Sequence, residues 1–430
     1  MNIVRHSDPN YEARIQGLTG GSSLLDPVIQ ERTEGILREV AQSGDAALVA
    51  LTQRFDGATL TPDRLAVTKA ERMNAALAAD EALRKAIQTS SRNIEAFSRK
   101  SKRRGWSARN AQGATVGEKF DPFQRVGVYI PGGTAPLAST ALMTVLLAKV
   151  AGCPEIVVCT PCQKDGTINP ALLYATSVAG ATEIYRIGGA QAIAAMAYGT
   201  STIRPVSKVF GPGNAYVVAA KRLLFGRVAV DLLPGPSEVL VVADDSANPR
   251  WIAADLLAQA EHGSGHERVW LATPSARILK GVERELRAQI PTLKRREFIE
   301  KALAANGWLI QVKNLDAAIG LANLLAPEHC EIMTRKPQQV AARIVTAGAL
   351  FLGGTSPTVL GDYVAGPSHT LPTGGAGASF AGLTVDQFQR RTSVVQYTAA
   401  ALKKSVPTVE RFAALEGLDA HGRSASIRLE

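Results

Sequence analysis

Histidine, cysteine and long apolar runs are all scarce in this sequence, and each shortage narrows what the chain can be. Four cysteines, Cys153, Cys159, Cys162 and Cys330, are too few for a disulfide framework and fit a reducing compartment. Cys159-Thr-Pro-Cys162 has the spacing of half a zinc knuckle or of a redox pair, but no second pair completes it, so these read as ordinary thiols. The longest apolar runs, such as Ala141–Val150, are too short to span a bilayer, which argues against a membrane protein. The opening MNIVRHSDPNYEAR lacks the apolar stretch of a signal peptide, so a cytoplasmic protein is expected. The net charge of +10 is mostly scattered. Its one dense run, Arg99-Lys100-Ser101-Lys102-Arg103-Arg104, has no interleaved aromatics and reads as a solvated helix end, so no nucleic-acid partner is expected. There is also no G-x-G-x-x-G fingerprint.

What is present is a long alternation of elements. With 430 residues the chain should divide into more than one domain. Residues 1–25 show no strong period and read as an arm. From Asp26-Pro27, a cap followed by proline, helical patterns run through Ile36, Leu37 and Val40, then Leu48, Leu51 and Phe55, then from about Lys69 to Lys100. Residues 26–120 are therefore expected to be a helical scaffold packing with the second of two α/β units. The first unit, 121–235, alternates strands (126–130, 155–160, 183–188, 208–211) with helices (141–152, 170–180, 190–199, 215–226). The second, 236–381, has strands at 239–244, 269–273, 308–312, 330–334 and 349–354. This βαβα order predicts two doubly wound, mostly parallel sheets with helices on both faces. Residues 382–430, with a helix from about Val406 to Gly417, have little core of their own and should pack on something else.

In such units ligands meet the loops after the strands. Three glycine-rich loops qualify: Pro131-Gly132-Gly133-Thr134, Gly188-Gly189-Ala190-Gln191 and Gly211-Pro212-Gly213-Asn214. They suit backbone amides approaching a pyrophosphate, though each taken alone reads better as a plain tight turn.

The six histidines select the other candidates. Trp251–Arg268 carries Ile252, Leu256, Leu257 and Ala260 at helical spacing, with Gly263 as a stop. Gln259 and His262 stand three apart at its carbonyl end, where partial negative charge suits a cation. Two residues do not make a metal site, and a capped surface turn fits the same stretch. Three more histidines lie beside acids or in a glycine–proline loop: His329 in Ala326-Pro327-Glu328-His329-Cys330-Glu331, His369 after Gly361-Asp362-Tyr363, and His421 after Glu416-Gly417-Leu418-Asp419. Such placement suits acid–base or metal chemistry.

Taken in order, VGVYIPGGTAPLASTALM (126–143), GGAQAIAAMAYGT (188–200), VFGPGNAYV (209–217), GPSEVLVVAD (235–244), DLLAQAEH (255–262), APEHCE (326–331), GDYVAGPSHTLPTGG (361–375) and EGLDAH (416–421) resemble the histidinol dehydrogenase family over nearly the whole chain. The resemblance implies two Rossmann-like units in an interlocked homodimer whose tail reaches the partner's site. It implies NAD and Zn2+ as cofactors, with L-histidinol oxidised through an aldehyde to L-histidine. Zinc would be bound by Gln259, His262 and Asp362 of one subunit and His421 of the other. Glu328 would activate water and His329 accept the alcohol protons. Tyr129, Gln191 and Asn214 would contact the cofactor. Ser237, His369 and Glu416 would join Gln259, His262, His329, Asp362 and His421 around the substrate. Cys330 reads as a packing residue. Two positions depart from the pattern, Ser98 and Ser368, where histidine and asparagine are frequent. Relatives oxidising other small polar alcohols, a sulfopropanediol among them, share the remaining residues and supply the alternative reading. A non-enzymatic metal- or nucleic-acid-binding protein is the remote one, disfavoured by the Glu328–His329 pair.

Overall fold

A computed structural model describes residues 1–19, 26–132 and 137–430. Gly133 and Thr134 of the first glycine loop, and residues 20–25 of the expected arm, lie outside them. The chain opens with β1 (Asn2–Arg5) and α1 (Tyr11–Leu18). Four helices follow: α2 (Pro27–Ser43), α3 (Asp45–Asp56), α4 (Lys69–Ala78) and α5 (Glu81–Ser101). A hairpin of β2 (Trp106–Arg109) and β3 (Thr115–Pro122) leads into β4 (Arg125–Tyr129), α6 (Ala138–Ala151), β5 (Glu155–Thr160), α7 (Pro170–Ala179) and β6 (Glu183–Arg186). Then come α8 (Gly189–Tyr198), β7 (Lys208–Phe210), α9 (Ala215–Leu224) and β8 (Ala229–Val230), which complete the first unit. The second unit holds β9 (Glu238–Ala243), α10 (Pro249–Ala260), β10 (Arg268–Thr273), α11 (Ala276–Gln289), α12 (Arg296–Asn306) and β11 (Gly307–Gln311). It continues with α13 (Leu315–Leu325), β12 (His329–Met333), α14 (Pro337–Ala341), β13 (Ala349–Leu352) and α15 (Thr358–Tyr363). The tail is β14 (Gln389–Gln396), α16 (Ala399–Glu416) and α17 (Asp419–Ser426).

Both large sheets are parallel, ordered β6-β5-β4-β7-β8 and β1-β11-β10-β9-β12-β13. In the first, the order reverses between β4 and β7, which opens a crevice at the carboxyl ends of those strands. Their apolar runs are buried on both faces, as parallel strands under helices require. Among the described residues no helix is long and apolar enough to cross a membrane.

Two expectations need correction. The helical segment packs on the first α/β unit, not the second. Ile36, Leu37 and Val40 of α2 and Leu48 and Leu51 of α3 share a core with Ile193 and Val217 of α8 and α9. Ile87 and Ile94 of α5 join Leu146 and Leu147 of α6. The apolar stripes of α2, α3 and α5 are covered by apolar residues of α6, α8 and α9. The second unit receives polar contacts from α5, Ser90 to the Tyr363 carbonyl and Asn93 to the Val364 carbonyl. The expected arm is in part an edge strand: β1 pairs in parallel with β11, and Val4, Ile15 and Leu18 join Trp270 and Ile310 in the second core.

A third sheet, β14-β3-β2, is antiparallel and joins the tail to residues 106–122. Beyond it α16 and α17 pack on each other and leave Phe412, Leu415, Leu418, Ile427 and Leu429 exposed.

Candidate active site

At the carboxyl edge of the first sheet lies a cleft of about 1080 Å³, and Tyr129, Gln191 and Asn214 all line it. Tyr129 ends β4, and its hydroxyl accepts the Gly189 N–H (3.0 Å) from the first turn of α8. Burial holds that phenol protonated well above its usual range. Gln191 is buried, and its Oε1 has no partner among the described residues. Asn214 caps α9, its Oδ1 accepting from the Tyr216 and Val217 amides at 3.1 Å each. Arg32, Arg54 and Lys164 stand around the cleft, and the amino end of α8 opens at it. Cationic side chains, a helix amino end and an unpartnered buried amide oxygen together fit a dinucleotide.

The loop after β7 is fixed from beneath. Gly211 has φ +106°, and a Cβ there would lie 2.1 Å from the Tyr129 carbonyl oxygen, so no side chain fits. Its N–H is donated to Asp231 Oδ2 (2.8 Å) and its carbonyl accepts from Lys221 Nζ (2.9 Å). Lys221 and Asp231 also pair with each other, and both side chains are wholly buried. Sequence reasoning missed this pair, because a lysine in an amphipathic helix reads as solvated.

The second group of residues gathers at the amino edge of the second sheet, the opposite edge from the one that strand-end reasoning favours. Asn248 caps α10, which ends at Ala260. Gln259 is buried in its last turn, its Nε2 without a partner among the described residues, and His262 follows just past the helix end. His262 Nδ1–H is donated to the Gln259 carbonyl oxygen 3.0 Å away, so the other ring nitrogen is the one that could serve as a ligand. Arg295 Nε holds the turn through the Glu261 carbonyl (2.8 Å).

Glu328 and His329 enter β12 side by side, and both are anchored to the backbone of Glu238 in β9. Glu328 Oε2 accepts the Glu238 N–H (2.8 Å), and His329 Nδ1 lies 3.0 Å from the Glu238 carbonyl oxygen. Ser237, half-buried, directly precedes this anchor. Asp362 on α15 sits among three imidazoles. Burial raises its carboxyl, but His369, His329 and His262 together hold it below the usual range. His369 Nδ1 is 3.6 Å from Asp362 Oδ1, and its Nε2 is 3.2 Å from Thr140 Oγ1 of α6. That last contact joins the two sites, because α6 begins just after the loop that follows β4.

Gln259, His262, Glu328, His329, Asp362 and His369 are thus brought together in one chain, with Ser237 beside Glu328. Glu416 and His421 are not part of this group's contacts. Glu416 is the exposed last residue of α16, and His421 lines a shallow hollow with Tyr397, Leu402 and Arg428. Among the described residues no three His, Cys, Asp or Glu side chains are arranged to hold a metal ion. The Gln259 amide oxygen, a His262 ring nitrogen and the Asp362 carboxylate are donor types that suit zinc.

A match to the family model described as histidinol dehydrogenase covers residues 23–429. The chain belongs to the histidinol dehydrogenase family. Histidinol dehydrogenase of Geobacillus kaustophilus is 44% identical over 423 residues, 97% of this chain and 99% of that protein. That of a Synechococcus is 45% identical over 399 residues, 92% of each. The crystal structure of histidinol dehydrogenase from Elizabethkingia anophelis matches with a TM-score of 0.93 at 35% identity, covering 100% of this chain and 98% of that one. An acetylating aldehyde dehydrogenase from Geobacillus thermoglucosidasius, 16% identical with a TM-score of 0.52 over 90% of this chain and 94% of that one, shares the fold alone. Membership makes the chain an oxidoreductase.

Within this histidinol dehydrogenase fold both departures are buried. Ser98 is buried on α5. Ser368 Oγ donates to the Met143 carbonyl (3.0 Å) and accepts the Thr370 N–H (3.2 Å), which fixes the loop carrying His369. Cys330 is fully buried, which with Glu331 pushes its thiol up to about 12, so it packs and does not attack. The sequence reading missed Glu238. Burial raises its carboxyl to about 7, with Arg268 opposing and Glu328 adding to the shift. A glutamate opening an otherwise apolar strand was the available signal.

Proposed function

We propose that this chain oxidises L-histidinol to L-histidine through L-histidinal in two NAD-dependent steps with zinc in the site. The anchoring of Glu328 and His329 on the two backbone groups of Glu238, beside Asp362, carries this reading. When bound, NAD in the cleft supplies the hydride acceptor, and zinc at Gln259, His262 and Asp362 supplies a Lewis-acid anchor for substrate nitrogens. His329, its Nδ1–H spent on the Glu238 carbonyl, has Nε2 left to take the alcohol proton as hydride leaves the carbinol carbon. Glu328 keeps Oε1 for a water molecule, whose oxygen adds to the aldehyde carbon and gives the hydrate. Once it has released the first proton to solvent, His329 takes a second as the hydrate loses its hydride, and the carboxylic acid so formed gives up its own proton to solvent as the carboxylate. His369, set by Asp362 and Thr140, orients substrate at the junction of the two units.

NADH counted against substrate tests the reading. Zinc-loaded protein with L-histidinol is expected to form two NADH per molecule and to yield L-histidine. No turnover with NAD and zinc present overturns it in favour of another polar alcohol.

The exposed apolar residues Phe412 and Leu415 on α16, with Leu418, Ile427 and Leu429 flanking α17, support a homodimer in which His421 and Glu416 complete the partner's site. Mixing inactive His421→Asn with inactive His329→Asn protein, with subunit exchange, is then expected to restore up to roughly a quarter of wild-type activity, since half of random pairs hold one intact site. No recovery in exchanged mixtures counts against sharing.

A further inference from the structure

Beneath the site three elements meet at two buried acids that the reaction does not use. Asp255 lies one helical turn before Gln259 on α10. Glu331 lies two residues after His329 on β12, on the same face of the strand. Thr358, the first residue of α15, stands one turn before Asp362. Glu331 Oε1 accepts the Thr358 N–H at 2.8 Å, and the side chain of Asp255 lies within hydrogen-bonding reach of Glu331. Glu331 is 1% exposed and Asp255 8%. Yet Glu331 Oε2 has no donor among the described residues. Two carboxylates cannot bond to each other without a proton between them, and a buried oxygen left unpartnered is costly.

We propose that Asp255 and Glu331 share one proton and form a positioning clasp that locks α10, β12 and α15 at the spacing the active site needs. The Glu331 carboxylic acid donates through Oε2 to Asp255 and accepts through Oε1 from Thr358, so every oxygen of Glu331 is used. Burial raises both acids, Asp255 to about 6 and Glu331 well above its usual value, which leaves the proton on Glu331. Asp255 adds to the rise at Glu331, and the Thr358 amide and His329 oppose it. One clasp therefore reaches, at one turn or two residues' remove, the elements bearing Gln259, His329 and Asp362. Misplacement of such groups by about 1 Å costs on the order of 100-fold in rate.

The positioning role rests on the oxidation proposed above, but the shared proton does not, and two measurements keep them apart. Infrared spectra of the full chain without added metal at neutral pH are expected to show a protonated-carboxyl band that Glu331→Gln removes. Absence of that band overturns the clasp. Glu331→Gln keeps a donor toward Asp255 and an acceptor toward Thr358 and is expected to retain kcat within about threefold and zinc affinity near wild type. Glu331→Leu keeps the volume without the bonds. It is expected to lose about 100-fold in kcat and to bind zinc more weakly in chelator competition, with NADH binding in the cleft unchanged. Equal damage in the Gln and Leu variants overturns the positioning role. If wild-type protein turns over no histidinol, the oxidation reading fails, while the infrared band and the zinc comparison still decide the clasp.

Discussion

Replacing His329 by asparagine is expected to lower kcat for histidinol by about 10²–10⁴-fold, the usual contribution of a positioned general base. The KM for NAD should stay within about twofold, because the cleft lies on the other α/β unit and loses no contact. A titration distinguishes this base from a merely structural imidazole. Burial alone lowers the His329 pKa, but Glu328, Asp362 and the Glu238 carbonyl overcome it and raise the value to about 9. Nε2 is therefore free to take a proton only as pH rises toward that value, and roughly one chain in a hundred holds it neutral at pH 7. Imidazole resonances of the metal-free protein are expected to titrate near 9, and in Glu328→Gln to move acidward as the neighbouring negative charge is lost. The same shift fixes the sign of the stability change. A folded-state pKa above the unfolded 6.5 stabilises fully below that value, and the contribution is lost as pH rises through 9. An inflection at 6.5 or below in the wild type would show that the acids around His329 are not charged as described.

Long-range order along the chain was well marked in the residues. The run Glu155–Thr160 is a strand over the same six residues that the apolar pattern marked, and the Asp26-Pro27 start of α2 is capped as its spacing implied. Both depend on local physics. The β2, β3 and β14 strands were not legible, because β2 and β14 are largely exposed, β3 is only half-buried, and none carries a buried stripe. A one-sided packing choice defeated the reading of the helical segment: α2 and α5 show their apolar faces in sequence, but not which unit covers them. In the site, the imidazoles could be singled out by their scarcity, whereas their joining to Asp362 across α15 is tertiary. The assignment of roles to Tyr129, Gln191 and Asn214 came from family resemblance alone, and the cleft now gathers all three. What no local pattern announces is a charge turned inward, as at Lys221, Glu238 and Glu331, where burial contradicts the residue's ordinary preference.

Lys221 is where that contradiction should be most expensive to disturb. Lys221→Met leaves the wholly buried Asp231 carboxyl without its cation, so a loss of about 3–5 kcal/mol is expected in the unfolding free energy. Urea denaturation followed by tryptophan fluorescence and by circular dichroism measures it. NADH binding should weaken as well, since the same ammonium holds the Gly211 carbonyl in the loop that carries Asn214. The double variant Lys221→Met/Asp231→Leu separates charge from hydrogen bonding. Removing both charges relieves the unpaired ion, and buried pairs replaced by apolar groups often lose little. Here recovery should be partial, because the Gly211 N–H and carbonyl, bonded at 2.8 and 2.9 Å to the two side chains, are left without partners. Each such orphan costs about 1–3 kcal/mol. Full recovery of stability together with NADH affinity would mean that the left-handed turn at Gly211 is held by its close approach to the Tyr129 carbonyl alone. Recovery of stability without affinity would place the pair's role in shaping the cofactor loop.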